Sequence, residues 1–362
     1  MKVTRVLSLL LVCLFACSAS AEQLKGMMLN TGLVAEDDIR TLASWGGKLA
    51  RYQIGMEYHP KPGMPVQEDL DLWFSHLHRH LDNLDDVLVW GEKYGVKVMI
   101  DVHVTPGGKF KPAEMKDLPQ EEMKGDNKMF HVAAFRDAYL KAWREIATRY
   151  RGRKIVYGYD LVNEPKEQPG SKAKFTYWDV QEDAIKAIRA IDPTTPIVVS
   201  ANWGDGPISF LTLKPFPHEN IIYQVHMYRP QSYTLQSWDM TKPIDPANRY
   251  PDPAKGFDRN YLVNELKPVR DFERKYGAKI ICGEWSCASW APGCEKYIED
   301  VAAILDEYGW DWTYGCIREA AVWSIEHECY VDKKGVRRFR KSADNPRRRV
   351  ILKALNRKGA GK

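Results

Sequence analysis

Two glutamates, each closing an apolar run, are the residues of this chain whose type and setting point to chemistry. Glu164 stands in Asn163-Glu164-Pro165 after the run 155–162, and Glu284 stands in Gly283-Glu284-Trp285 after the run 278–282. Such runs read as strands of a parallel barrel, whose C-terminal ends carry reactive groups. Two carboxyls facing each other across one cleft are the equipment of glycoside hydrolysis. One protonates the leaving oxygen, and the other stabilises or attacks the ring carbon. Taken alone, either glutamate would read as a surface salt-bridge residue. Context alters that reading: Asn163 is suited to bond a substrate hydroxyl or to fix Glu164, and Pro165 rigidifies the turn that follows.

Further polar residues fall at predicted strand ends. Arg51 ends the second, His103 the third, and His226 and Tyr228 the sixth. A lone histidine is more often a satisfied structural group. Six polar residues converging on one face are harder to explain separately. The 12 tryptophans add a second theme, because aromatic faces stack on the C–H faces of sugars. Trp203, just after the fifth strand, is the first choice for a cleft-lining ring, with Trp285 and Trp290 next. Trp143 sits on an apolar helix face and reads as core.

The elements that must position these groups alternate strand and helix after residue 24, which predicts a parallel sheet wrapped by helices. Strands are predicted at 25–30, 48–54, 96–103, 155–162, 196–201, 220–226, 279–284 and 311–317. Helices are predicted at 36–45, 70–94, 131–150, 178–191, 261–276, 295–308 and 347–356. Asn345-Pro346 supplies the cap and first turn of the last helix. Eight strands in this alternation predict a single-domain (β/α)8 TIM barrel over residues 22–362. The rival, an open doubly wound sheet, wants a glycine-rich phosphate turn that Asn30-Thr31-Gly32 does not supply. Two long connections, 104–130 and 227–260, follow strands and should lie on the reactive face.

With these pieces in order, the chain resembles glycoside hydrolase family 5, the cellulase-type retaining β-glycosidases. The resemblance rests on Arg51 in Leu49-Ala50-Arg51-Tyr52, His103 in Asp101-Val102-His103, Asn163-Glu164-Pro165, His226-Met227-Tyr228, and Glu284 in Gly283-Glu284-Trp285. It implies Glu164 as general acid/base and Glu284 as nucleophile. Asn163 would bond the sugar 2-hydroxyl, and Arg51 and Tyr228 would keep Glu284 ionised. His226 would set the proton affinity of Glu164, and His103 would line the subsite before the scissile bond. A retaining pair should stand roughly 5–5.5 Å apart. The family's tryptophan on strand eight falls on Gly315 here; Trp323, shortly after it, is the candidate platform, with packing of a loop onto the barrel as the alternative. The implied substrate is a β-linked glycan, β-1,4-glucan first, with mannan or another β-glucan as alternatives and endo or exo action open. No cofactor or metal is expected. A non-catalytic glycan-binding barrel and a metal-dependent hydrolase are the rival readings.

Composition bounds the setting. The chain has 362 residues, 44% of them hydrophobic, and a formal charge of +5. Residues 1–21 read as a signal peptide: Lys2 and Arg5, an apolar stretch 6–16, then Ala19-Ser20-Ala21. This predicts a secreted or periplasmic monomer with no membrane span after cleavage. Lipoprotein anchoring at Cys17 is the weaker alternative, because Phe15 is bulky for that signal. Of seven cysteines, Cys282 reads as core. Cys287, Cys294, Cys316 and Cys329 are enough for two bridges, with Cys287–Cys294 the most local pairing. The basic cluster from Arg337 to Arg349 reads as a solvated helix face and tail. It lacks the aromatics and module of a nucleic-acid surface.

Overall fold

The computed structural model describes residues 22–110, 125–236 and 243–358. The expected signal segment, with Cys17, lies outside them. The chain runs β1 (Lys25–Met28), α1 (Glu36–Ser44), β2 (Leu49–Ile54), α2 (Val66–Tyr94), β3 (Lys97–Val102), α3 (Ala133–Tyr150), β4 (Val156–Asp160), α4 (Tyr177–Arg189) and β5 (Ile197–Ser200). It continues through β6 (Ile221–Met227), a short α5 (Gln231–Thr234), α6 (Arg259–Tyr276), β7 (Lys279–Trp285), α7 (Cys294–Tyr308), β8 (Asp311–Tyr314), β9 (His327–Val331), β10 (Arg337–Lys341) and α8 (Pro346–Asn356). Strands β1 to β8 close into one parallel barrel, with β8 pairing back onto β1 through Gly26 and Thr313. Between β5 and β6 a 3-10 turn, Pro207–Leu211, takes the place of a barrel helix. It packs Phe210 edge-on against Phe272 of α6 at 5.4 Å.

The inside of the barrel changes character along its axis. Leu49, Met99, Tyr157, Val198, Ile222 and Ile281 form a buried apolar plug at the N-terminal end. Side chains alternate along a strand, so the residue two places on faces the same way. That next step carries Arg51, Asp101, Ser200 and Gln224, all fully buried. The polar layer is tied across the barrel: Gln224 donates to Asp160 at 3.0 Å and to Ser200 at 3.1 Å. Gly283 makes room for it. A Cβ there would stand 1.8 Å from Gln224 Oε1.

The sheet ends earlier than the apolar runs do. β3 stops at Val102 and β4 at Asp160, so His103, Asn163 and Glu164 leave the ladder and turn into the barrel mouth. Asn345 caps α8 as expected, accepting from Arg348 N at 2.9 Å with Pro346 at the first position. No helix among the described residues is long and apolar enough to cross a membrane.

Two expectations are corrected. The basic stretch from Arg337 is not a helix face: Arg337–Lys341 forms the second strand of an antiparallel hairpin with β9. Asp332 Oδ1 accepts from Lys334 N and Val336 N, and Gly335 (φ 76°) completes the turn. Arg337 lies 4.5 Å over the Trp290 ring, and Arg347 is buried with its guanidinium on three carbonyls. The cysteines are also unbridged. All five described ones are free, and Cys294 Sγ donates to the Cys287 carbonyl at 3.4 Å. Burial pushes the Cys287, Cys316 and Cys329 thiols up, which disfavours the thiolate needed for disulfide exchange. Cys282 is buried in β7, as its apolar run predicts.

Candidate active site

Arg51, rising from β2, is the hub of the barrel mouth. It has no solvent exposure, and its guanidinium reaches Asp160 at 2.9 Å, Asp101 at 3.1 Å, Glu284 Oε1 at 2.5 Å and Asn163 Oδ1 at 3.0 Å. Burial opposes its charge, but Asp101, Asp160 and Glu284 outweigh that and hold it cationic. Asp101 also meets His103 Nδ1 at 2.6 Å, and His103 Nε2 lies 3.1 Å from Asn163 Nδ2. Asn163 is thereby clamped between Arg51 and His103.

Glu284 reaches this hub through an irregularity. In the β6–β7 ladder Val225 pairs with Cys282 but His226 pairs with Glu284, so β7 carries one extra residue, Gly283. Strict alternation from Ile281 would turn Glu284 outward and Trp285 inward. The bulge reverses this. Trp285 consequently points away from the cleft, fully buried and edge-on to Trp312 and Tyr314 at 5.2 and 5.0 Å. Trp290 is buried as well, with Nε1 on the Gln236 carbonyl at 2.8 Å. Neither is the cleft aromatic expected of it. Trp143 is core, as read.

Glu284 and Glu164 meet at His226. His226 Nδ1 is 3.0 Å from Glu164 Oε1 and 3.7 Å from Glu284 Oε2. One oxygen of each glutamate and a nitrogen of His226 all lie within 4.8 Å of one another. The environments of the carboxyls differ. Burial works against the Glu284 charge, but His226, Arg51 and His103 outweigh it and bring the carboxyl down to about 2. Tyr228 OH donates to its second oxygen at 3.3 Å. Burial and Glu284 push the Tyr228 phenol well above its ordinary value, so the proton stays on the donor. Glu164 is the more open of the two, with its side chain 35% exposed against 8% for Glu284, so one faces the cleft and the other the hub. Burial opposes a charge on His226, but Glu284, Asp205 and Glu164 raise it to about 9. This trio is compact enough for a cation. His226 would have to give up its proton to ligate a metal there, against the pull of Glu284 and Asp205, and the charge of Arg51 beside it opposes a cation.

Trp203 is 44% exposed beside the acid side of the cleft. It borders a cavity of about 620 Å³ shared with Glu167, Tyr177, Trp178 and Asn202. Trp323 is partly buried, with its ring 6.2 Å from that of Tyr228. Arg347 of α8 holds its carbonyl at 3.2 Å. Gly315 lies against Tyr228, where a Cβ would come 3.5 Å from the hydroxyl. Arg51, His103, Asn163, Glu164, His226, Tyr228 and Glu284 thus gather at one barrel mouth with Trp203 and Trp323 beside them, while Trp285 and Trp290 do not.

Four charged neighbours were not anticipated. Asp160 sits three residues before Asn163, and it turns inward only because β4 carries an irregularity after Val156, which alternation along the strand does not announce. Asp205 hides in the loop Asn202-Trp203-Gly204-Asp205-Gly206, which carries no motif. Lys109 donates to the Glu164 carbonyl at 2.7 Å from a loop with no readable code. Glu319 accepts from Gln53 at 3.4 Å, and burial pushes its carboxyl up.

The Arg51 hub yields one expected result. Arg51→Met leaves Asp101, Asp160 and Glu284 buried without their cation, which costs about 3–5 kcal/mol. Urea denaturation should show this loss at neutral pH, and a midpoint unchanged from wild type would refute the central role of the guanidinium.

Comparison with known proteins agrees with the geometry. A family model described as cellulase (glycosyl hydrolase family 5) matches residues 16–320. Endoglucanase C of Acetivibrio thermocellus is 25% identical over 311 residues, covering 78% of this chain and 84% of that one. Cellodextrinase A of Ruminococcus flavefaciens is 25% identical over 328 residues, covering 89% and 84%. Among solved structures, the cellulose synthase subunit Z of Clostridioides difficile shares the fold at a TM-score of 0.62 and 18% identity, covering 93% of this chain and 100% of that one. The chain belongs to the cellulase family, glycosyl hydrolase family 5, and is a glycoside hydrolase of the retaining type general to that family.

Proposed function

We propose that this protein is an exported cellulase-like enzyme that cleaves β-1,4-linked glucan by double displacement, with Glu164 as acid/base and Glu284 as nucleophile. The observation that carries the reading is the approach of one oxygen of each glutamate to within 4.8 Å, from the ends of β4 and β7. A separation this small suits direct attack on the ring carbon and leaves no room for an intervening water. Glu284, low in proton affinity and oriented by Arg51 and Tyr228, forms the glycosyl–enzyme bond as Glu164 protonates the departing oxygen. Glu164 then takes a proton from water, which attacks the same carbon and releases the sugar with its configuration retained. Asn163, fixed by Arg51 and His103, is placed to bond the sugar 2-hydroxyl. His103 lines the glycone side, Trp323 is the stacking platform there, and Trp203 lies on the leaving-group side. Endoglucanase and cellodextrinase relatives favour glucan as substrate. Export rests on residues 1–21.

The test is product analysis on soluble cellulose derivatives, mixed-linkage glucan, xyloglucan and mannan. Glucan cleavage with the β-anomer formed first is the expected result, and inversion or inactivity on every glucan would refute the reading. Trp323→Ala should raise KM on cello-oligosaccharides about tenfold, the loss of roughly 1–1.5 kcal/mol of aromatic contact. An unchanged KM would show that the ring packs the loop and nothing more.

A further inference from the structure

We infer that Asp205, in the loop after β5, is a positioning residue that fixes the backbone of Glu164 and the ring of His226 together. The inference rests on the reading of Glu164 as acid/base. Glu164 has φ 48°, a left-handed conformation that a non-glycine residue keeps only when its surroundings hold it there. The group holding it is Asp205: Glu164 N donates to Asp205 Oδ2 at 3.1 Å. The other oxygen, Oδ1, accepts from Ala201 N at 2.7 Å. The Asp205 carbonyl accepts from His226 N at 2.9 Å. Its Oδ2 also stands 4.0 Å from His226 Nε2, the nitrogen on the far side of the ring from the one meeting Glu164. That nitrogen is buried and has no hydrogen-bond partner.

The loop is bent to make this contact. Trp203, Gly204 and Asp205 are all left-handed, at φ 58°, 70° and 56°. Three such residues in succession turn the carboxylate inward, where it is fully buried. Both its oxygens already accept a backbone N–H, an arrangement that an amide side chain matches at only one of the two. Burial pushes the Asp205 carboxyl up to about 8, against the pull of His226, so its charge is present in the range near 9 where His226 gives up its proton. Glu164 and Asp160 also face it, together with Lys109 and Tyr177. His226 is in turn faced by Glu284, Glu164 and Asp160. Asp205 therefore acts in two ways: it sets where the Glu164 carboxyl points, and it helps keep the proton on His226.

The experiment compares wild type, Asp205→Asn and Glu164→Ala on a cello-oligosaccharide and on a dinitrophenyl glycoside, whose leaving group needs no proton. For Asp205→Asn we expect kcat on the oligosaccharide to fall about 10–100-fold, the scale of a misplaced catalytic group. The aryl substrate should lose less than about threefold in kcat/KM, which reports formation of the glycosyl–enzyme alone, and the alkaline limb of the kcat/KM profile should move down by about one pH unit, as loss of one neighbouring charge implies. Equal losses on both substrates with an unmoved limb would overturn the proposal as a merely structural effect. If Asp205→Asn does not fold, Asp205→Glu decides on the same two substrates: a loss that depends on the leaving group supports the positioning role, and an equal loss on both refutes it. Glu164→Ala separates the two readings. If it shows no dependence on leaving group, the assignment of Glu164 fails. If it shows that dependence and Asp205→Asn does not, only Asp205 falls.

Discussion

Glu284→Ala should abolish glucan hydrolysis, lowering kcat by about 10⁴-fold or more, the scale seen when a nucleophile acting as part of a unit is removed. The structural reason is that no other group can take its place. Its oxygens are committed to Arg51 and Tyr228, and the other cleft carboxylate, Glu164, lies across His226 from it. The variant also removes the anion that most raises the proton affinity of His226. Added azide should enter the vacated space and form a glycosyl azide of inverted configuration. Recovery of that product identifies Glu284 as the attacking group, whereas residual wild-type turnover or a retained azide would contradict the assignment. Thermal melting at neutral pH separates chemistry from folding.

Glu164→Ala should behave differently. General acid–base groups contribute about 10²–10⁴-fold, so kcat on cello-oligosaccharides should fall by that amount. A dinitrophenyl glycoside departs without help, so formation of its glycosyl–enzyme should stay fast while breakdown slows. A rapid burst of dinitrophenolate followed by a slow steady state is the expected trace, and azide should now give the retained product. A uniform loss on both substrates, without a burst, would mean that Glu164 only binds. The exposed position of Glu164 suits this proton-shuttling role, because acid, base and water must all reach it in turn.

Much of this was legible from residue order. The strands were visible because a barrel strand buried on both faces is a continuous apolar run, and the helices between them kept a clear period. Arg51, His103, Asn163, Glu164, His226, Tyr228 and Glu284 were found because each ends such a run. The failures have local causes. Trp285 was expected in the cleft as a tryptophan beside Glu284 at a strand end, and a one-residue bulge at Gly283 turned it out. The hairpin was hidden by its arginines and lysines, which resemble a solvated face, although Asp332 and Gly335 marked its turn. Asp205 escaped because its role depends on three left-handed residues in a row, a shape that no composition or period announces.

The match to the family ends at residue 320, and Trp323 lies just beyond it, anchored by Arg347 of the final helix. The acid–nucleophile pair and the ring proposed to sit under the sugar are therefore held by different stretches of chain. On that reading, drift in the terminal hairpin and its anchoring helix can retune which hexose is preferred while bond cleavage itself stays intact. Exchanging that tail between relatives, with the α8 contacts to Lys25 and Trp45 kept, is a route to altered selectivity that leaves the glutamate pair in place.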